Sequence, residues 1–228
     1  MASNLNKCTY CSKEFTRERT LQVHMCEPKR RYLQKGEKWV QNGFMVFQRF
    51  YEIHQNNTNP KTYKDFCGSA YYNAFVKFGR YLMHINPLYP EKYIDYVILS
   101  KIKLDHWARD DLYETYLIDT LKVEPVEAAL QRSIATMMDW AEEQNAQWSD
   151  YFRLVNTNRA VQHIQQGKIS PWVLLGCLAG KKMLKSFTDE QLQMTQRFIV
   201  PEYWANKFKS YPADHLFVQE TAKEAKIE

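Results

Sequence analysis

Residues 8–31 have the sequence CTYCSKEFTRERTLQVHMCEPKRR, and this stretch decides the fold of the amino-terminal part of the chain. Cys8 and Cys11 are separated by two residues, and Phe15, Leu21 and His24 follow at intervals of four, six and three residues. This spacing is typical of a ββα zinc finger through its third ligand, which needs two thiolates on a tight turn, two apolar side chains as a miniature core, and a histidine on the inner face of a short helix. We therefore predict a small metal-bound ββα unit here.

The fourth ligand position departs from this pattern. Only Met25 separates His24 from Cys26, whereas the usual interval is three to five residues. Because positions two apart on an ideal helix point to opposite sides, Cys26 can complete the site only if the helix ends or unwinds there. Pro28 favours such an end, since proline disfavours helical geometry at the residue before it. The predicted site is Zn²⁺ held by Cys8, Cys11, His24 and Cys26.

The charge of the same segment points to nucleic acid. Residues 1–35 contain eight Lys and Arg against three Glu, and the remaining residues contain 23 of each sign, so the formal net charge of +5 belongs to this segment. The positions on the helix face that a DNA-binding finger turns toward bases are Arg17, Arg19, Thr20 and Val23. The predicted phosphate contacts that follow are Lys29, Arg30, Arg31 and Lys35.

Two alternatives remain open for this segment. In the first, the cysteines are unrelated buried thiols that bind no metal. In the second, the segment is a single finger that contacts protein instead of DNA. A single finger covers roughly three base pairs, too few for useful sequence specificity. We therefore interpret the segment as a sequence-nonspecific anchor.

Composition restricts the class of protein. With 228 residues, 45% hydrophobic and 14% aromatic, most of the chain is predicted to fold around a large core or two smaller ones. No apolar run approaches the roughly 20 residues of a membrane span, and the polar amino terminus does not resemble a signal peptide. Cys67 and Cys177 lie in apolar helical contexts and are expected to be core residues, not a disulfide. We therefore expect a reducing, cytoplasmic setting.

The rest of the chain is predicted to be all α-helical. Prolines fall between segments of helical periodicity, and strand signals are confined to the finger. Among the predicted elements are a loop at 56–61, one helix over 149–166, one central apolar helix over 172–184, and a last short helix over 201–208 followed by a frayed, charged end. The predicted division is 1–35 for finger and basic linker, 36–121 for a helical DNA-binding domain, and 122–228 for a second helical domain.

Signs of catalysis are few. The chain has no glycine-rich phosphate loop, and Asp105, His106 and Asp110 form the most suggestive group. A metal-dependent nuclease is one interpretation of that group, whereas carboxylates at a helix amino terminus are the other, which we favour. We expect no enzymatic activity. Tyr71, Tyr72 and Trp39 belong to core stripes by spacing, although any of them that is exposed would be able to stack on unpaired bases.

From about residue 36 onward, the order and spacing of apolar blocks resemble those of the replicative helicase loaders, or helicase assembly proteins, of T-even-type bacteriophages. The segments that prompt this are 46–66, Ser69-Ala70-Tyr71 with the basic helix after it, 97–107, 112–117 and 160–175. The resemblance implies a non-enzymatic protein of two helical domains. The first would resemble a high-mobility-group fold that binds duplex at a replication fork, and the second would meet the single strand, the single-strand-binding protein and the hexameric replicative helicase. The finger is not part of that family's pattern.

The hypothesis that follows is a DNA-binding replication accessory protein that recognises fork or single-strand/duplex junction DNA and recruits or loads the replicative helicase. Its expected location is the cytoplasm, which is that of the host cell if the protein is phage-encoded. The basic residues of the body expected to support DNA binding are Lys77, Arg80, Lys101 and Lys103. The alternative is a phage structural or transcription-related adaptor whose finger docks to protein.

Overall fold

The computed structural model describes residues 6–55 and 59–227. Within them, fifteen α-helices and three short 3-10 helices accompany a single two-stranded sheet, so the predicted mainly α-helical fold with strands only in the finger is confirmed. The predicted loop at 56–61 and the polar amino terminus lie partly or wholly outside these residues. The chain divides into two compact units, Met1–Tyr113 and Glu114–Glu228. The division predicted from composition stays a prediction.

The first unit begins with the small sheet and continues in helices. Its elements are β1 (Asn6–Lys7), β2 (Glu14–Phe15), α1 (Glu18–Val23), α2 (Glu27–Leu33), a 3-10 helix (Gln34–Gly36), α3 (Lys38–Gln55), α4 (Tyr63–Gly68), α5 (Tyr72–Ile85), α6 (Pro90–Leu99), a 3-10 helix (Leu104–His106) and the start of α7 (Asp110–Val123). The two strands pair antiparallel, with Asn6 opposite Phe15.

Helices α3 and α5 form the main packing contact of this unit because two glycines let their backbones approach. A Cβ at Gly79 would lie 2.3 Å from the carbonyl oxygen of Trp39, and a Cβ at Gly43 would lie 2.9 Å from that of Phe75. Any larger side chain at either position would therefore push the helices apart. Around this crossing lies an aromatic core of fully buried rings, among them Phe47, Phe66, Phe75, Phe78 and Trp107.

The second unit contains shorter helices than the sequence suggested. After α7 come α8 (Val126–Gln144), a 3-10 helix (Trp148–Asp150), α9 (Tyr151–Leu154), α10 (Thr157–Gln165), α11 (Pro171–Gly176), α12 (Leu178–Leu184), α13 (Asp189–Thr195), α14 (Pro201–Ser210) and α15 (Pro212–Glu224).

Three helix predictions in this unit are wrong. The helix predicted over 149–166 is interrupted at Val155, whose backbone is extended, and restarts where the Asn156 side chain caps the Asn158 amide. The helix predicted over 172–184 breaks at Cys177. A Cβ at Gly180 would lie 2.2 Å from the Leu174 carbonyl oxygen, so the start of the second segment packs closely against the end of the first. The predicted frayed end forms α15, which begins at Pro212.

A buried ion pair connects helix α8 with the segment between α10 and α11. Arg132 donates to both carboxylate oxygens of Glu124, at 2.6 and 2.8 Å, and to the Gly167 carbonyl oxygen at 2.7 Å. Ser170 adds a hydrogen bond of 2.7 Å to the same carboxylate. Because the Glu124 side chain is only 2% exposed, these partners supply what water would otherwise provide.

Candidate metal centre

The tight turn between the two strands positions the first two cysteines. The Cys8 amide donates to the Lys13 carbonyl oxygen at 2.9 Å, and the Ser12 amide donates to the Cys8 carbonyl oxygen at 2.9 Å. Ser12 has φ of 61°, the left-handed conformation that lets the chain reverse within a few residues. This turn directs both sulfur atoms to the same side, so the predicted thiolate pair is present.

The third and fourth potential ligands, His24 and Cys26, come together because helix α1 ends earlier than the sequence suggested. It stops at Val23, and His24 has ψ of 121°, an extended conformation, instead of lying on the inner face of the helix. Cys26 is extended as well and precedes α2, in which Pro28 occupies the first turn. Extended backbone at His24 and Cys26 turns both side chains toward the thiolate pair, which two positions of an ideal helix cannot do.

Four potential ligand atoms converge at this point. Those of Cys8, Cys11, His24 and Cys26 all lie within 4.8 Å of one another, and within the described ranges this is the group of histidine, cysteine and acidic side chains placed to hold a metal ion. The Sγ atoms of Cys8 and Cys26 are 4.0 Å apart, and Cys11 Sγ lies 3.3 Å from His24 Nε2. All five cysteines of the chain are free thiols.

These distances fit the tetrahedral coordination of a metal ion. With metal–sulfur bonds of about 2.3 Å, as in zinc sites, the edge between two sulfur ligands is about 3.8 Å. The separation of 4.0 Å between the Cys8 and Cys26 sulfur atoms is close to that value, and the 3.3 Å between Cys11 Sγ and His24 Nε2 is close to the shorter sulfur–nitrogen edge of about 3.5 Å. Three thiolates and one imidazole are also the donor set of structural zinc sites. The four residues therefore fit the ion that the spacing predicts.

The local electrostatics differ among the thiols. A backbone hydrogen bond from Cys11 lowers the pKa of Cys8, against the opposing effect of burial. Removal from water raises the pKa of Cys26, and a backbone hydrogen bond from Lys29 only partly opposes this effect. Phe15 packs on the imidazole of His24 with ring centroids 4.7 Å apart and, with Leu21, supplies the half-buried miniature core.

The residues predicted to face bases are exposed on the head, the small unit that residues 6–26 form around the four potential ligands. Arg17 is the N-cap of α1, and Arg19, Thr20 and Val23 lie on that helix, all accessible to solvent. Val23 is 75% exposed and the nearby Met25 51%. The structure thus presents cationic and apolar side chains on the same small surface.

The predicted phosphate contacts that follow fall into two groups. Arg30 and Lys35 are exposed, whereas Lys29 is half-buried and donates to the His24 carbonyl oxygen at 3.2 Å. Arg31 is 14% exposed and is engaged in packing: it donates to the carbonyl oxygens of Cys67 at 2.9 Å and Ser69 at 3.0 Å.

Arg31 also pairs with Glu27 and lies over the Tyr72 ring at 4.5 Å. Its guanidinium therefore holds α2 against α4 and the start of α5. Because Nη1 and Nη2 of Arg31 have partners within the protein and Nε is buried, these contacts favour a packing role over the predicted phosphate contact.

The basic residues of the helical part are all exposed, but their side chains have different neighbours. Lys77 and Arg80 are exposed on α5, and Lys101 and Lys103 are exposed in the connection that follows α6. Lys77 reaches the Asp105 carbonyl oxygen at 3.5 Å, which brings it to the segment carrying Lys103. Arg80 instead lies over the Trp39 ring at 5.3 Å.

Asp110, one member of the acidic group suspected of catalysis, has a structural partner. Asp110 lies in the first turn of α7 and accepts a hydrogen bond of 3.0 Å from the Tyr81 hydroxyl. Asp111, beside it, is bridged by Arg109 at 2.5 Å. These contacts fit carboxylates at a helix amino terminus.

Of the three aromatic residues considered for base stacking, only Tyr71 is widely exposed, at 61%, whereas Tyr72 is 3% exposed and Trp39 is half-buried. Tyr10 and Tyr32, which no sequence pattern singled out, have ring centroids 5.2 Å apart beside the metal site. The position of Tyr10 inside the Cys8–Cys11 turn was the one available signal.

Comparison of the chain with protein-family models, with curated proteins and with solved structures gave no match. Among residues 6–55 and 59–227, no helix combines the length and hydropathy that crossing a membrane requires.

Proposed function

We propose that this chain is a non-enzymatic DNA-binding replication accessory protein, whose zinc-stapled head and basic first unit bind phosphates at fork or junction DNA. The observation that carries the proposal is the coincidence of the metal-ligand cluster with the positive charge. The unit that contains the cluster has 18 Lys and Arg against 11 Asp and Glu, whereas the second unit has 13 against 15.

Zinc would act in folding, not in chemistry. The head comprises two strands of two residues each and a six-residue helix, so it has too small a core to fold by hydrophobic burial alone. All four ligand positions are filled by side chains, which is the arrangement of structural zinc sites and leaves no open position for a substrate. The ion would hold the arginines of the head in place.

The exposed cations would bind the DNA backbone. Arg17, Arg19, Arg30 and Lys35 are accessible on or beside the head, and Lys77 and Lys103 are accessible on the helical part. Contacts of this kind neutralise phosphates without reading bases, so the affinity is sequence-nonspecific and falls steeply as salt rises.

The recruitment of protein partners is assigned to the second unit. Its balance of charge is slightly negative, which disfavours phosphate binding and is compatible with protein contacts. The resemblance of the apolar blocks to phage helicase loaders supports the replicative helicase and the single-strand-binding protein as those partners.

The test compares forked with linear duplex DNA of the same length, with and without a chelator, on protein whose zinc content has been measured. We expect about one zinc per chain, tighter binding to the fork, and weaker binding after chelation. Neutralising Arg17, Arg19 and Arg30 to Ala should lower the slope of log affinity against log salt by about two to three. The matched control neutralises the exposed Lys181, Lys182 and Lys185 of the second unit and should leave the slope unchanged.

Equal affinity for forked and linear duplex DNA would refute the claim that the protein recognises forks. A slope that does not change with the arginines would remove the head from the DNA contact.

An adaptor whose finger docks to protein is the second candidate, and the exposed Val23 and Met25 favour it because apolar side chains on a small domain are common at protein contacts. Val23→Ser with Met25→Ser would then weaken binding of a protein partner, whereas no DNA affinity would be measurable. DNA affinity that is unchanged by these two substitutions would speak against this candidate.

A further inference from the structure

A groove of about 630 Å³ lies beside the metal centre in the first unit. It runs between the cysteine turn, helix α2 and the turn that leads into α5. The aromatic and cationic side chains that line this groove include Tyr10, Tyr32, Tyr51, Tyr71, Lys61 and Lys64. Its volume is within the range of roughly 300–1,000 Å³ found for ligand pockets.

Tyrosine rings line this groove, and two of them are exposed to solvent. Tyr71 is 61% exposed and Tyr32 39%, whereas Tyr63 and Tyr72 nearby are buried. Tyr10 lies next to Tyr32, with ring centroids 5.2 Å apart. Aromatic faces that remain accessible in this way offer stacking area to a flat ligand.

The polar groups of the groove favour an anionic ligand. Lys61 lies over the Tyr51 ring with Nζ 4.8 Å from the centroid, and Lys64 is exposed on α4. Asp65 also lines the groove, but its carboxylate is occupied in the N-cap of α4, where it accepts from the Thr62 amide at 2.8 Å. The hydrogen bonds from Thr62 lower the pKa of Asp65, consistent with this local role.

Rings beside lysines form the arrangement that binds single-stranded nucleic acid, in which bases stack on aromatic side chains while cations follow the phosphates. A proline-rich peptide also docks in aromatic-lined grooves. The lysines and the excess of positive charge in this unit favour the polyanion.

We propose that this groove binds unpaired bases of single-stranded DNA, with Tyr71 and Tyr32 as stacking platforms and Lys61 and Lys64 as phosphate contacts. The proposal rests on the DNA-binding function proposed above and gives the head a second role. Because Tyr10 lies between Cys8 and Cys11, a bound metal ion would also fix one wall of the groove.

The test measures binding of an oligothymidylate of about 12 nucleotides and of a duplex of the same length to the full chain with zinc bound. Tyr71→Ala should weaken single-strand binding by roughly five- to 160-fold, the range for loss of one stacked base, and leave duplex binding unchanged. Tyr71→Phe should restore single-strand binding, since it keeps the ring. Tyr211→Ala is the matched control, because Tyr211 is 50% exposed beside Lys207 in the second unit.

Thermal unfolding of each variant checks that Tyr71, the N-cap residue of α5 with no side-chain cap hydrogen bond, is dispensable for folding. Single-strand affinity that is the same in Tyr71→Ala and the parent would overturn the groove while leaving the duplex result to judge the proposed function. No measurable oligothymidylate affinity in the parent would overturn it as well. A proline-rich peptide that binds in place of the oligonucleotide, and is lost with Tyr71→Ala, would reassign the groove to protein.

Discussion

Substituting neighbouring arginines on α2 separates a packing role from a DNA-binding role. Arg31→Ala removes a side chain that is 14% exposed, and Arg30→Ala removes one that is exposed. Both substitutions lower the charge by one unit within one helix, so any difference between them comes from contacts and not from charge. We expect the first to destabilise the protein and the second to weaken DNA binding.

The expected cost of Arg31→Ala follows from its partners. It donates to the Cys67 and Ser69 carbonyl oxygens at 2.9 and 3.0 Å, and hydrogen bonds from a charged group contribute about 1.5–3 kcal/mol each. Stacking on Tyr72 adds about 0.5–2 kcal/mol. Because Ser69 is half-buried and water can replace part of its bond, we expect a net loss of about 3 kcal/mol.

Urea unfolding with saturating zinc measures this loss. With a slope of about 2 kcal/mol per molar urea, the midpoint should fall by about 1.5 M for Arg31→Ala. Arg31→Lys keeps the charge but not the planar donor fork, so it should recover less than half of the loss. Arg30→Ala should leave the midpoint within about 0.25 M, and it should lower the salt slope of DNA affinity by about one.

The opposite pattern would refute this reasoning. If Arg31→Ala kept the parent's stability and lowered the salt slope by about one, then the guanidinium would be a phosphate contact, as charge alone suggested. The attachment of α2 to α4 would then have to depend on other contacts.

Two further predictions concern the helical packing and a buried histidine. Gly79→Ala should destabilise the first unit by about 3 kcal/mol or more, because its Cβ would lie 2.3 Å from the Trp39 carbonyl oxygen. Burial, together with the charges of Lys168 and Arg159, lowers the pKa of His163 to about 4. Between pH 4 and the usual histidine pKa of about 6.5, the unfolded chain therefore binds a proton that the folded chain does not. The free energy of unfolding should thus fall as the pH is lowered from about 6.5 toward 4, by at most about 3 kcal/mol.

Control variants make both predictions decisive. Gly36→Ala has open space at its Cβ and should be neutral or slightly stabilising in the same urea unfolding measurement. His163→Gln should flatten the pH dependence of the unfolding midpoint between pH 4 and 6.5. Glu143 opposes the shift and Tyr151 hydrogen-bonds to Nδ1 at 2.7 Å, so an equal pH dependence in His163→Gln would assign it to another group.

Local signals predicted the fold class and the four residues of the cluster that could hold a metal ion. Thr62 and Thr188 each form a capping box with the residue three positions later, and such signals are written in adjacent residues. The convergence of Cys8, Cys11, His24 and Cys26 also follows from spacing, once the helix ends before His24. The sequence alone did not show where this helix ends, and the structure shows that it ends at Val23, because the backbone of His24 is extended.

Interactions between distant residues were beyond the sequence analysis. The carbonyls that occupy Arg31 lie 36 and 38 positions further along the chain, so counting charges cannot distinguish it from Arg30. The break at Cys177 depends on Gly180 approaching the Leu174 carbonyl, a contact that hydrophobic periodicity does not encode. Apolar runs show that a segment is buried, but they do not show where its backbone turns.

The proposed fourth ligand, Cys26, is also the residue from which α2 starts, so nothing separates the head from the helices behind it. Each residue of an α-helix turns the chain by about 100°, and one residue inserted at this joint would therefore rotate the head by more than a quarter of a circle. A finger from another protein would fit here only if its last ligand began a helix in the same way. The connection at Cys26 therefore fixes the direction in which the arginines of the head point relative to α2.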